Sequence, residues 1–168
     1  VDQTLKSKKS KDYADKLRHP DDRYRSDEEA HQELFKALTT GLEILADMRL
    51  GRPLGTFDNP RPNRAEARRT GRSLRHVQIQ LDSLRQLAQL LSEGDQELSQ
   101  HLTQLFDKAD RHAANLVDDP SFAGVSDPQK RFLLETLQQD VREIKEIAAL
   151  DLGPTLGVEA GFNALDGD

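Results

Sequence analysis

The chain has 168 residues, a formal net charge of −6 and no cysteine. That length supports one domain able to remove about 70% of its unfolded surface from water, and the missing cysteines exclude disulfide scaffolds, thiolate zinc sites and cysteine nucleophiles. The acidic balance excludes a general nucleic-acid binder, and no apolar run is long enough to predict a membrane-spanning helix.

Residues 1–18 carry few apolar positions, Val1, Leu5, Tyr13, Ala14 and Leu17, which suits an exposed helix or the end of one begun upstream. The first ten residues are polar and lysine-rich with no apolar leader core, and the abrupt start favours a mature or partial chain. His19-Pro20 interrupts the helix, because the residue before a proline is pushed out of the α region. Residues 1–20 are therefore set apart as a helix end or linker, and 21–168 as the folded bundle.

Ser26 and Glu29 have the spacing of a capping box, and Ala30, Leu34, Leu38, Leu42, Leu45 and Met48 recur at helical intervals, which predicts an amphipathic helix over 27–50. Gly51, with Pro53 just beyond, reads as its left-handed stop. Residues 51–72 then form an irregular centre punctuated by Gly51, Pro53, Gly55, Pro60, Pro62 and Gly71. Arg49, Arg52, Arg61, Arg64, Arg68, Arg69, Arg72 and Arg75 all fall in or beside it. A connection this long inside a compact domain is functional or disordered more often than incidental.

Ser73 reads as the N-cap of a helix whose apolar set is Leu74, Val77, Leu81, Leu84, Leu87 and Leu91. Glu93-Gly94-Asp95 predicts a turn, and a third helix over about 96–117 presents Leu98, Leu102, Leu105, Phe106, Ala109, Ala113 and Leu116. Asp127-Pro128 opens the fourth, along which Phe132, Leu133, Leu137, Val141, Ile144, Ile147 and Ala148 share a face, and Gly153-Pro154 reads as its stop. No alternating β-branched run appears. The expectation is an all-α, up-and-down four-helix bundle with a long arginine-rich loop and an ordered, irregular C-terminal tail.

Chemistry has few places to reside. The five histidines form no HExxH pattern, and the pairs Glu97/His101 and Asp27/His31 read as surface helix pairs before they read as cation sites. Phosphate-loop, nucleophile-elbow and EF-hand spacings do not occur. The arginine cluster matches carboxylate or phosphate, or else serves as a solvated loop that offsets the acidic helices. Arg52 and Arg72 stand out because each flanks a helix end. In the last eight residues, Phe162 and Leu165 are apolar anchors able to hold Asn163, Asp166 and Asp168 against the body, where the two aspartates would pair with Arg52 or Arg72 or bind a hard cation.

Three segments carry a family resemblance. Met48-Arg49-Leu50-Gly51-Arg52-Pro53-Leu54-Gly55, then Gly71-Arg72-Ser73-Leu74, then Leu156-Gly157-Val158-Glu159-Ala160-Gly161-Phe162-Asn163-Ala164-Leu165-Asp166-Gly167-Asp168 resemble the imelysin-like proteins. That resemblance implies a bacterial periplasmic or outer-membrane-anchored protein made of two helical bundles, of which this chain corresponds to the C-terminal one. The GxHxxE motif of the family's N-terminal half is not found here. The implied partners are that half and a metal or small anionic ligand, with no nucleic acid and with membrane contact only through an upstream lipid anchor.

The resemblance further implies a binding component for acquisition of iron or another divalent cation, with the site at the junction of the two bundles. The ligand-binding residues expected in this half are Arg52, Pro53, Arg72, Ser73, Asn163, Asp166 and Asp168; no residue of this chain is assigned as catalytic or as a metal ligand. Two alternatives stand beside it: a metallopeptidase half-domain, and an envelope binder of acidic polysaccharide through the arginine loop.

Overall fold

The structure is a computed structural model and describes residues 27–158. The readings of residues 1–26, including the Ser26 cap, and of the tail from Glu159 onward lie outside the described residues.

Four long helices carry the fold: α1 (Asp27–Glu43), α2 (Ser73–Leu91), α3 (Gln96–Ala114) and α4 (Pro128–Ile147). No strand occurs among the described residues, only an isolated bridge between Thr56 and Asn59. Each helix packs on the next, and α4 returns to α1, which closes an up-and-down bundle as the periodicity predicts. The apolar stripes meet along the axis: Leu38, Leu42 and Leu45 face Val77, Leu81, Leu102, Phe106, Leu137, Val141 and Ile144, all fully or almost fully buried.

Aspartates cap two helix starts, Asp127 as the sequence indicates and Asp95 beyond its reading as a turn residue. The Asp95 carboxylate accepts from the Leu98 amide at 3.0 Å, and that of Asp127 from the Gln129 and Lys130 amides at 2.9 and 3.1 Å. The start of α2 differs. Ser73 is the first helical residue rather than the cap, which is Arg72, and its hydroxyl donates to the Glu66 carbonyl at 2.6 Å.

Both predicted glycine stops are overrun. Past Glu43 the first helix continues as a π-helical stretch, Ile44–Leu50, and a last turn, Gly51–Leu54; past Ile147 the fourth continues as Ala148–Leu152 and Gly153–Thr155. In each case the glycine is right-handed and its amide bonds five residues back, Gly51 to the Ala46 carbonyl and Gly153 to that of Ala148. The wider register relieves the clash between a proline ring and the preceding turn, so Pro53 and Pro154 are accommodated. The left-handed stops fall later, at Gly55 (φ 57) and Gly157 (φ 71).

The same widening explains Met48. A strict 3.6-residue period places it in the core, but in the π stretch Leu45, Ala46 and Leu50 face inward and Met48 is 46% exposed. Phe132, also expected in the stripe, is 66% exposed because α4 gives that position to Arg131 and Leu134 instead.

At Gly55, φ 57 and ψ −139 form a conformation open only to glycine, and a Cβ there would run into the Asn59 carbonyl oxygen. Gly55→Ala is expected to lower stability by about 2–4 kcal/mol in urea unfolding. An unchanged midpoint would contradict the turn described.

Candidate ligand-binding end of the bundle

The C-terminus of α1, the N-terminus of α2 and the 55–72 connection meet at one end of the bundle. Arg49, in the π stretch, donates from Nη1 to the His76 carbonyl at 2.9 Å, while its Nε lies 2.9 Å from Glu66 Oε2. That Nε–H is buried and not aligned on the carboxylate, so the second contact is an ion pair and not a hydrogen bond. The other Glu66 oxygen lies 3.4 Å from His76 Nδ1, and the Glu66 carbonyl takes the Ser73 hydroxyl. One residue of the connection therefore clips it to both flanking helices.

The clip has local support on each side. Ala67 adopts a left-handed conformation (φ 52), so the chain folds into the turn Arg68–Thr70 and brings the Arg72 amide to the Ala67 carbonyl at 3.3 Å. The Leu74 amide then donates to the Pro120 carbonyl at 2.9 Å, which ties the start of α2 to the α3–α4 connection. At the other margin, Arg131 of α4 is 8% exposed. Its Nη1 donates to the Leu54 carbonyl at 2.8 Å and the Thr56 carbonyl at 3.3 Å, and its Nε to Glu135 at 2.7 Å. A buried guanidinium thus satisfies carbonyls that the end of the first helix leaves open.

The expected site residues divide on this frame. Arg52 and Arg72 are exposed, and among the described residues neither has an ion-pair partner. Pro53 is buried, its carbonyl taken by the Arg61 amide at 2.9 Å, and Ser73 is buried with its hydroxyl engaged by the Glu66 carbonyl. Asn163, Asp166 and Asp168 lie outside the described residues. The last described residue, Val158, sits against Gly153 beside Phe35, in the N-terminal half of α1, at the end of the bundle opposite Arg52 and Arg72.

Two other features lie apart from this end. Asp140, buried between α3 and α4, receives His112 Nδ1 in a short contact and lies 3.2 Å from Lys108 Nζ, which also holds Glu143 at 2.7 Å. The hydrogen bond that Lys108 donates to Glu143, then the one to Asp140, raises its pKa above the ordinary 10.5. Burial raises the Asp110 carboxyl above its usual value, partly offset by Arg85. At the Val158 end a half-open groove of about 740 Å³ is lined by His31, Leu34, Leu87, Leu90 and Leu156 among others. Glu97 and His101 are exposed in a shallow depression there, and no group of three His, Asp or Glu able to hold a metal ion occurs among the described residues.

Sequence reading missed Glu66, His76 and Arg131. Arg131 had a signal: it precedes Leu134 by three positions, so a charge stands on the apolar face of α4 with Glu135 one turn on. Glu66 was one of two acids among the arginines and carried no pattern of its own.

Fold and site together define an all-α bundle with an ordered, arginine-rich connection at one end. The sequence profile of the imelysin family matches residues 1–148, and the chain belongs to that family. The matched span includes Arg52, Pro53, Arg72 and Ser73 and ends before the tail motif. No curated protein and no solved structure matches the chain.

If Glu66 is the clip, Glu66→Ala frees the connection while leaving the bundle folded. Native-state trypsin cleavage after Arg64 and Arg68 is then expected to rise severalfold with little change in helical circular dichroism. Unchanged cleavage would show that Glu66 does not restrain the segment.

Proposed function

We propose that this imelysin-family protein is a periplasmic binding component in the acquisition of iron or another cation, and that it takes its cargo as an anionic chelate at Arg52 and Arg72. Family membership supports the compartment and the metal role. The observation that carries the site is the pairing of two exposed guanidinium groups, free of ion pairs among the described residues, with a frame that fixes the backbone beneath them. Planar guanidinium forks match the carboxylates or phosphates of a metal chelate, and prior fixing of their backbone reduces the ordering needed on binding.

In this reading the GxHxxE-bearing N-terminal half, characteristic of the family, adjoins the same end and supplies direct ligands to the metal, while this chain holds the chelator's anionic groups. Asn163, Asp166 and Asp168, expected from the family resemblance to join this site, lie outside the described residues. The peptidase name attached to the family is not carried over, because no observation among the described residues favours it.

Calorimetric titration of the protein with ferric citrate at low salt is expected to show saturable binding. Arg52→Ala and Arg72→Ala should each weaken it by roughly tenfold, the scale of a lost charge-assisted hydrogen bond. Absence of heat with ferric citrate and with the free divalent cations would remove the proposal.

A further inference from the structure

At the same end of the bundle a buried charge supports an exposed aromatic ring. Phe57 is 77% exposed, the most exposed of the large apolar side chains described. It stands at the tip of the turn between Thr56 and Asn59, closed by the Asn59 amide on the Thr56 carbonyl at 3.2 Å and, at its base, by the Arg61 amide on the Pro53 carbonyl at 2.9 Å. Gly55 sets the left-handed entry to this turn. Beneath the ring, the Arg131 guanidinium lies 5.7 Å from the ring centroid while it holds the Leu54 and Thr56 carbonyls. The tip of such a turn ordinarily carries a polar residue. Apart from its contact with Arg131, the ring stands in solvent, outside the buried core.

The surroundings are strongly basic. Residues 49–75 hold eight arginines against Asp58 and Glu66, a net of +6 within a chain whose total is −6. Arg61, Arg64, Arg68, Arg69 and Arg75 are exposed, and among the described residues none has an ion-pair partner. Phe132 and Val117, both exposed, belong to the same end. Arginines alone would suit any polyanion. Arginines around a rigidly presented aromatic suit the boundary of an anionic bilayer, where guanidinium groups meet lipid phosphates and a ring lies at headgroup depth.

We infer that this end of the bundle is a peripheral docking surface for an anionic lipid membrane, with Phe57 inserted among the headgroups and Arg61, Arg64, Arg68 and Arg69 against the phosphates. Docking of this kind needs no spanning segment, and no described helix is long and apolar enough to cross a membrane. The strongly acidic remainder of the chain is repelled by the same surface, which orients the molecule with its arginine end down. This inference does not depend on cargo binding at Arg52 and Arg72.

The test is co-sedimentation of the protein with mixed phosphatidylcholine and phosphatidylglycerol vesicles, with phosphatidylcholine vesicles as the control. Salt-sensitive binding to the mixed vesicles alone is expected, weakened roughly tenfold in Phe57→Ser and in the double variant Arg68→Ala/Arg69→Ala. All three side chains are exposed, so circular dichroism should show the fold unchanged. Because the chain has no tryptophan, Phe57→Trp adds a single reporter whose emission should shift to the blue on mixed vesicles. Failure to sediment with mixed vesicles at low salt overturns the inference. So does Phe57→Ser binding as tightly as the unaltered chain, or a soluble polyuronate displacing the protein while the Phe57→Trp emission on vesicles stays unshifted, which would make this an acidic-polysaccharide surface.

Discussion

The structure depends on holding a run of like charges still. Five arginines lie on the 55–72 connection and three more on the helix ends beside it, and like charges at this density push a free chain outward. Against that repulsion the fold sets a small number of well-placed contacts. Glu66 answers Arg49 and His76 at once, and the Ser73 hydroxyl holds the Glu66 backbone. Arg131, itself buried, ties α4 to the end of the first helix through two carbonyls. Each exposed ion pair contributes little by itself, but the backbone bonds they stabilise turn a repelling segment into a surface of fixed shape.

That arrangement gives the bundle two different poles. One carries exposed guanidinium groups on a fixed backbone and an aromatic tip. The other carries the α2–α3 turn, the groove beside His31 and Leu90, and the last described turn around Val158. Between them the interior is almost wholly apolar, with Asp140 as the buried acid among the described residues, held by His112 and Lys108. Lys108 has a folded pKa above its ordinary value, so its contribution to stability is complete below about 10.5 and fades as pH rises through the folded value. At neutral pH this link is fully in place.

Much of the fold was legible in the sequence because the stripes at Leu38–Leu45, Val77–Leu84, Leu98–Phe106 and Leu137–Ile144 keep one helical period, and a period reports burial directly. What escaped was tertiary. Gly51-Arg52-Pro53 and Gly153-Pro154 look like stops when only the local chain is considered, yet each is crossed by bonding five residues back, a register no local signal announces. At Ser73 the cap reading failed because the hydroxyl had a stronger claim from the Glu66 carbonyl, seven residues earlier. Of the expected site, Arg52 and Arg72 come exposed to the same pole, whereas Pro53 and Ser73 are buried there. Glu66, which organises that pole, shows no spacing that sequence could reveal, since its partners lie on two helices.

The claim beneath all of this is that residues 55–72 are an ordered part of the fold. Native-state hydrogen exchange tests it most directly at the amides of Arg61 and Arg64, bonded to the Pro53 and Arg61 carbonyls at 2.9 Å each. The account predicts that both exchange far more slowly than in a free chain and at rates comparable to amides inside α2. Exchange at the free-chain rate across the connection would contradict it.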